Sequence, residues 1–290
     1  MKNSVKIPGF ASSRQVEELL RLLALRMQRE AGSELSGLYT SRFRGRGLEF
    51  AELVEYQDGD DAAGIDWLAS LRSGRIYRKR FQEDREIPVI LACDCSASLY
   101  SQRQTLSALR EATALFAACA VNSQDPIGLV FYSDHLERRL QPGRGLRQAR
   151  RLLAELQEFQ PSGQLTDLTG LFRSLNNAFR QHSRIFLFSD LHDTGYTADL
   201  ARLCHNHEVL VCHLANPPLN TALPHGVWLE VCDAERDERG LLRRVEKGSV
   251  AGTDSIAGEM IAAGAEYLLL QTDQPVVSQI LQFFRAGAGK

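Results

Sequence analysis

The sequence predicts an α/β protein built around a doubly wound, mostly parallel sheet, with a small N-terminal helix and a β-rich element ahead of it. Two observations lead to this prediction. From Ile87 onward, short apolar runs alternate with longer segments whose apolar residues recur at helical spacing. Several of the short runs are apolar throughout, which is typical of strands covered by helices on both faces. Such alternation favours a parallel sheet with helices on both sides.

The predicted elements of the sheet domain follow one another in a regular order. Strands are predicted over residues 87–93, 127–132, 136–140, 184–189, 208–214 and 267–270. Helices are predicted over residues 102–122, 146–159, 168–181, 197–205, 253–263 and 275–285. Residues 227–231 and 240–245 have the pattern of an inserted hairpin.

The residues ahead of the sheet domain have a different pattern, and we expect three regions: 1–36, 37–86 and the sheet domain over 87–290. Apolar residues recur at helical spacing over 14–29, so this amphipathic helix docks on its own domain or on a partner. The second region is rich in arginine and glycine. We predict a strand over 48–56 and a hairpin formed by 67–71 and 76–81 around Arg72-Ser73-Gly74-Arg75. Its arginines, from Arg42 to Arg80, alternate with carboxylates, which favours internal ion pairs over a nucleic-acid surface.

Composition excludes several classes of protein. The chain has 34 Lys and Arg residues against 36 Asp and Glu, a net charge of −2, so overall charge gives no argument for nucleic acid or an anionic membrane. No apolar run approaches the roughly 20 residues that span a bilayer, and the N-terminus has no signal-peptide core. We therefore expect a cytoplasmic protein. The six cysteines lie mostly inside apolar runs, which favours buried reduced thiols over disulfides.

The strongest chemical signal follows the strand predicted over residues 87–93. Asp94-Cys95-Ser96-Ala97-Ser98 places a carboxylate and two hydroxyls at the carboxyl end of this strand, where ligands bind in open α/β sheets. Thr166 stands in a loop before a predicted helix, and Asp190 ends a second buried strand. These five oxygen donors suit Mg²⁺ or Mn²⁺. The alternative interpretation is an ordinary strand-to-helix turn in which Ser98 caps a helix.

The pattern Asp94-x-Ser96-x-Ser98, followed by Thr166 and Asp190, resembles the metal-ion-dependent adhesion site of von Willebrand factor A domains. Residues 41–50 (SRFRGRGLEF), 55–61 (EYQDGDD) and 65–70 (IDWLAS) resemble the hallmark of one bacterial group, domain of unknown function 58. This resemblance covers the chain from about residue 37 to its end. It implies a sheet of von Willebrand factor A type and a metal with one open position, which an acidic side chain of a partner fills.

Members of that group tend to accompany MoxR-type AAA+ ATPases, so the resemblance also implies a partner. We expect a non-catalytic adaptor or co-chaperone that links such an ATPase to a client protein, which the sequence does not identify.

The alternative function is a metal-dependent hydrolase at the Asp94 and Asp190 site. In that alternative, Ser96 forms a triad with His192 and with Asp193 or Asp167, but the flanking glycines of a nucleophile elbow are missing. Two further candidates are also weak. Cys93 and Cys95 lack the two-residue spacing of common redox and zinc motifs, and His205-Asn206-His207, which we expect to face solvent, has no third ligand nearby.

Overall fold

The computed structural model describes residues 32–43, 49–57, 65–82, 87–163, 165–216, 228–232, 239–243 and 251–287. The amphipathic helix predicted over residues 14–29 lies outside these ranges. The helices are α1 (Gly32–Phe43), α2 (Trp67–Ser73), α3 (Ala97–Ser101), α4 (Arg103–Asn122), α5 (Gly145–Glu158), α6 (Leu168–Ala178), α7 (Thr197–Asn206), α8 (Ala251–Ala262) and α9 (Val276–Gly287). The strands are β1 (Glu49–Glu55), β2 (Tyr77–Gln82), β3 (Val89–Asp94), β4 (Ile127–Tyr132), β5 (Leu136–Gly143), β6 (Arg184–Ser189), β7 (Glu208–Ala215), β8 (Trp228–Cys232), β9 (Arg239–Arg243) and β10 (Glu266–Gln271).

The centre of the protein is a six-stranded sheet with the order β10-β7-β6-β3-β4-β5. All neighbouring strands are parallel except β5, which pairs antiparallel with β4 at one edge. Counted along the chain within this sheet, the order is that of a doubly wound fold, and the winding reverses between β3 and β6. The predicted doubly wound, mostly parallel sheet is confirmed. Its switch point, where ligands bind in such sheets, lies between the carboxyl ends of β3 and β6.

Helices cover the sheet on both faces, which explains why β3, β4 and β6 are buried at every residue. On one face, Phe116 of α4 stacks on Phe186 with ring centroids 4.3 Å apart. On the other face, Phe172 of α6 and Leu200 of α7 belong to a second buried cluster. Both clusters are closely packed and fix the strand ends, so side chains at those ends stand on a rigid base.

Helix α1 runs across the predicted boundary between residues 36 and 37 and packs on the sheet domain. Leu35 and Tyr39 are buried in the same core cluster as α4 and α9, and the Tyr39 ring lies edge-on to Phe284, 6.4 Å between centroids. Arg285 of α9 donates two hydrogen bonds to Glu34, at 2.8 and 2.9 Å. These contacts fasten the last helix to a segment that precedes the sheet domain.

The hairpin predicted around Arg72-Ser73-Gly74-Arg75 is wrong, because the first of its two strands is helix α2. The Asp66 carboxylate accepts hydrogen bonds from the backbone N–H groups of Leu68 and Ala69, both at 3.0 Å, and so caps the helix N-terminus. Gly74 ends the helix with φ +72°, a left-handed conformation that glycine adopts without strain. The predicted strand over 48–56 is confirmed as β1, which pairs antiparallel with β2.

Two further predictions about the fold are confirmed. β8 and β9 form the inserted antiparallel hairpin. Five cysteines of the described residues are free thiols, four of them buried, as the sequence indicated. No helix in the described ranges has the length and apolarity to cross a bilayer.

Candidate metal centre

The two predicted aspartates meet at the switch point of the sheet. Asp94 is the last residue of β3 and Asp190 directly follows β6, and these strands are parallel neighbours. Both residues are buried, with 2% and 4% of their surface exposed. The fold therefore brings together two carboxylates that are 96 residues apart in the chain.

Hydroxyl groups connect the two carboxylates. The backbone N–H of Ser96 donates to Asp94 Oδ1 at 2.9 Å, and the Ser98 hydroxyl donates to Asp190 Oδ2 at 2.7 Å. The Ser96 and Ser98 hydroxyl oxygens are 3.1 Å apart. Because the Ser98 side chain bonds Asp190, and because Ser96 occupies the N-cap position of α3, the alternative that Ser98 only caps a helix is wrong.

Ser189 belongs to this network, and sequence reasoning did not identify it. Its hydroxyl donates to Asp94 Oδ2 at 2.6 Å and accepts from the backbone N–H of Leu191 at 3.0 Å. Ser189 ends the buried apolar strand β6, and a hydroxyl at that position is the signal that sequence reasoning overlooked. Ser189 holds the Asp94 carboxylate in place from the neighbouring strand.

Thr166 is half-buried in the loop before α6, and its neighbours fix that loop to the same edge of the sheet. The backbone N–H of Asp167 donates to the carbonyl oxygen of Ser133 at 3.2 Å. The backbone N–H of Leu168 donates to Asp193 Oδ2 at 2.8 Å. Ser133 follows β4 and Asp193 lies in the loop after β6, so Thr166 lies in a loop held at the carboxyl ends of the two strands that flank β3.

The loop before Thr166 is also held by Glu137 of β5, a residue that no motif in the sequence marks. The Glu137 carboxylate accepts from the backbone N–H groups of Ser162 and Gly163, at 2.9 and 2.6 Å. It also accepts from the hydroxyls of Ser162 and Ser133, at 2.6 and 2.9 Å. A Cβ atom added to Gly163 would lie 2.1 Å from the Ser133 hydroxyl oxygen, so this close approach requires glycine.

The electrostatics of the two aspartates differ. Burial raises the pKa of Asp94 to about 7, the nearby charge of Asp190 adds to this effect, and hydrogen bonds from Ser189 and Ser96 oppose it. A raised pKa means that the folded protein holds the charged form of Asp94 at a cost. A cation at this site removes that cost.

Asp190 has its own partners. Burial raises its pKa, but hydrogen bonds and positive charge from His192 and the Ser98 hydroxyl outweigh burial, so the net pKa lies below the ordinary value. The imidazole Nδ1 of His192 lies 3.2 Å from Asp190 Oδ2. Asp190 Oδ1 is buried and has no hydrogen-bond partner among the described residues. An unpartnered buried carboxylate oxygen is the kind of group that a cation satisfies.

The donor set fits a small divalent cation. In octahedral coordination with bonds of about 2.0–2.1 Å, adjacent ligand atoms are about 3.0 Å apart. The Ser96–Ser98 and Ser98–Asp190 oxygen pairs, at 3.1 and 2.7 Å, have about this separation. Within the described ranges, no three His, Cys, Asp or Glu side chains converge on one point, so hydroxyl oxygens must supply part of any coordination. Hard oxygen ligands of this type suit Mg²⁺ or Mn²⁺.

The sequence profile of a family described as "Protein of unknown function DUF58" matches residues 52–250, more than half of the chain. The chain belongs to the DUF58 family. Its sheet is doubly wound and mostly parallel, as the sequence predicted. Among curated proteins, the uncharacterized proteins Rv1480 of Mycobacterium tuberculosis and Mb1516 of Mycobacterium bovis are each 24% identical over 282 residues, covering 91% of this chain and 87% of the relative.

Two solved structures are similar to this DUF58 chain at a lower level. The conserved hypothetical protein BatB from Bacteroides thetaiotaomicron is 12% identical, with a TM-score of 0.46, and the match covers 70% of this chain and 98% of that one. Proximal thread matrix protein 1 from the mussel byssus, with a zinc occupied MIDAS motif, is 12% identical, with a TM-score of 0.38. That match covers 45% of this chain and 38% of the mussel chain.

The Ser-His-Asp triad considered from the sequence does not match the observed contacts. Asp193 accepts from the backbone N–H groups of Leu168 and Thr194, at 2.8 and 2.7 Å. Asp167 accepts from the backbone N–H of Gly170 at 2.8 Å, as an N-cap of α6. Both carboxylates therefore hold backbone, while the His192 imidazole faces Asp190.

The other candidates from the sequence lie away from the metal centre or are inert. His205 is exposed as predicted, but the prediction is wrong for His207, which is buried and whose Nδ1 accepts from the backbone N–H of Ser183 at 3.2 Å. Cys93 and Cys95 are buried, and burial raises the pKa of the Cys93 thiol to about 12. A thiol with so high a pKa is a poor nucleophile and metal ligand, which favours a structural role.

Proposed function

We propose that this DUF58 protein is a metal-dependent protein-interaction module that binds Mg²⁺ or Mn²⁺ and has no catalytic activity of its own. One observation carries the proposal. At the switch point of the sheet, two buried carboxylates are joined through the Ser96 and Ser98 hydroxyls, and Asp190 Oδ1 has no hydrogen-bond partner among the described residues. The proposed metal ligands are Asp94, Ser96, Ser98, Thr166 and Asp190.

The charges of the donors favour binding of an acidic partner. Ser96, Ser98 and Thr166 are neutral ligands, so only Asp94 and Asp190 balance the charge of a divalent ion. Both Asp94 oxygens already accept hydrogen bonds, from Ser96 and Ser189, which draws electron density away from any ion beside them. A bound ion supplies a Lewis-acidic position, and a Glu or Asp of another protein is the ligand with matching charge.

The partner in this proposal is a MoxR-type AAA+ ATPase in the cytoplasm, with the DUF58 chain as its adaptor or co-chaperone toward a client. The support is the family resemblance in residues 41–70 together with the metal centre. Electrostatic steering is a second contribution to test, since Arg72 and Arg75 of the α2 region are exposed.

The test is capture of the neighbouring ATPase in Mg²⁺ and in EDTA. We expect capture by the wild-type chain in Mg²⁺ only, and loss of capture by Ser96→Ala with Ser98→Ala. The control, Arg72→Ala with Arg75→Ala, should still require Mg²⁺ but depend less on salt concentration. Equal capture in EDTA and by the serine variant would refute the metal-dependent mechanism.

The hydrolase alternative is tested separately with phosphoesters and acyl esters in Mg²⁺ or Mn²⁺. The buried Ser96 hydroxyl pairs with Ser98, and the His192 imidazole lies against Asp190, so these contacts differ from a triad in which His192 activates Ser96. We expect no turnover above background. Turnover that is lost in Asp94→Ala would establish an enzyme instead.

A further inference from the structure

We propose that His192 is an additional ligand of this metal centre and that it shifts the site's preference from Mg²⁺ toward imidazole-binding transition ions such as Co²⁺ or Zn²⁺. This inference rests on the proposed metal-binding function. It adds a nitrogen donor to a set that the sequence pattern had limited to oxygen.

The first argument is distance. Three successive pairs of donor atoms run across the centre: Ser96 Oγ to Ser98 Oγ at 3.1 Å, Ser98 Oγ to Asp190 Oδ2 at 2.7 Å, and Asp190 Oδ2 to His192 Nδ1 at 3.2 Å. Adjacent ligands around one ion with bonds of about 2.1 Å are about 3.0 Å apart. The imidazole nitrogen therefore continues the row of donors with the spacing of a shared coordination sphere.

The second argument is the backbone between Asp190 and His192. Leu191 has φ +56°, in the left-handed region that leucine rarely adopts. Its side chain is buried and its N–H donates to the Ser189 hydroxyl, so the surrounding structure holds this strained conformation. The turn at Leu191 brings the imidazole back over the carboxylate two residues earlier.

The third argument is the state of the donors. Asp190 Oδ1 is buried and has no hydrogen-bond partner within the described ranges. His192 has 66% of its side chain exposed, so the ring can reorient toward an ion without disturbing the core. Its Nδ1 faces the centre. A neutral imidazole in this position binds Co²⁺, Ni²⁺ or Zn²⁺ better than Mg²⁺, since Mg²⁺ prefers oxygen ligands.

The number of ligands is consistent with the proposed partner site. With His192 as a ligand, the proposed ligand set changes at one residue. Both Asp94 oxygens already accept hydrogen bonds, from Ser96 and Ser189, so Asp94 acts as a nearby negative charge and His192 takes its place as a direct ligand. Ser96, Ser98, Thr166, Asp190 and His192 then make five ligands. A sixth position is left for the acidic side chain of a partner.

The test uses the full chain, with His192→Asn and the control His205→Asn, whose imidazole is exposed at the end of α7. Calorimetry measures the affinities for Co²⁺ and Mg²⁺, and pulsed electron paramagnetic resonance of the Mn²⁺-loaded protein detects coupling to a bound ¹⁴N nucleus. We expect His192→Asn to lose the ¹⁴N coupling and to bind Co²⁺ about 10–100-fold more weakly. Its Mg²⁺ affinity should fall by a smaller factor than its Co²⁺ affinity, since Mg²⁺ prefers oxygen ligands. The His205→Asn variant should keep both affinities within about twofold, a margin small beside that loss.

The outcomes separate this inference from the proposed function. If wild type binds Mg²⁺ and Co²⁺ but shows no ¹⁴N coupling, or if His192→Asn keeps its Co²⁺ affinity, His192 is not a ligand although the metal centre stands. If wild type binds none of these ions, both proposals fail. Circular dichroism of His192→Asn confirms that any change is local, since the replaced side chain is mostly exposed.

Discussion

Replacing Asp94 by Asn should stabilise the metal-free protein and destroy its response to metal. Burial and the charge of Asp190 raise the pKa of Asp94 from 3.8 to about 7. A shift of this size corresponds to about 4 kcal/mol, as an order of magnitude, since each pH unit is worth about 1.36 kcal/mol. Above pH 7 the folded protein bears this cost. Asn has no charge and avoids it.

The net gain is smaller, because Asn provides only one acceptor oxygen for the two donors that Asp94 satisfies. The Ser96 N–H and the Ser189 hydroxyl both bond Asp94, and losing one such hydrogen bond costs about 1–2 kcal/mol. We expect Asp94→Asn to raise the free energy of unfolding in EDTA at pH 8 by about 2–3 kcal/mol.

The pH dependence has a definite sign. A carboxyl group whose folded pKa is raised contributes stability that is complete below its unfolded pKa of 3.8 and is lost as pH rises toward 7. Relative to Asp94→Asn, wild type should therefore lose stability between pH 4 and pH 7 when metal is absent. Urea unfolding at several pH values in EDTA measures this difference.

Metal should reverse the order of stability. An ion at a hundredfold excess over its dissociation constant stabilises the fold by about 2.7 kcal/mol, and only wild type should gain this at millimolar Mg²⁺ or Mn²⁺. Asp134→Asn is the control, because Asp134 is a partly exposed carboxylate at the same edge whose pKa is lowered, mainly by its hydrogen bond to His135. Equal stability of wild type and Asp94→Asn in EDTA at pH 8, or equal metal responses, would refute the reasoning.

Three further predictions concern residues around the site and the core. Ser98→Ala removes one proposed ligand, so calorimetry should show metal binding weakened about 10–100-fold. It also removes the hydrogen bond to Asp190, so the free energy of unfolding without metal should fall by about 1–2 kcal/mol. Glu137→Ala should lower metal affinity, because the loop that carries Thr166 loses the acceptor that holds it. Glu137→Gln keeps an acceptor oxygen and should lower the affinity less. A Glu137→Ala variant with wild-type affinity would contradict this role. Leu35→Ala should lower the free energy of unfolding by about 2–5 kcal/mol, and urea should unfold the variant in a single transition. An unchanged free energy of unfolding would mean that α1 is not part of the core.

The fold was predictable from the sequence where the pattern is local and repeated. The strands β4 and β6 were predicted with the bounds that the structure has, because a fully buried strand is apolar at every position between turn residues. The α2 region was not, since its apolar residues Trp67, Leu68 and Leu71 are exposed and follow no buried face. Only the Asp66 cap and Gly74 define the helix there, and a glycine between two short apolar runs is equally typical of a hairpin turn.

The candidate site was predictable only in part, and the reason is physical. Asp94, Ser96 and Ser98 are close in sequence, and Asp190 follows a strand that pairs with β3, so a residue pattern was enough to select these four candidates. Glu137 acts through hydrogen bonds to backbone N–H groups, which no local pattern marks. Ser189 was marked only by a hydroxyl at the end of an apolar strand, and its bond to Asp94 was not visible in the sequence. Geometry had to show them.

The same geometry explains how an event at the metal can reach the rest of the molecule. The donors belong to three separate segments: the end of β3, the loop after β6, and the loop of Thr166 that Glu137 and Asp193 hold in place. An ion bound by all three fixes their relative positions, and the free energy of metal binding then opposes any separation of these segments. Because the rigid sheet supports two of the segments, the Thr166 loop is the one whose position metal binding is expected to restrain most. If a partner binds through the proposed open position, we expect it to sense the placement of this loop as well as the presence of the ion.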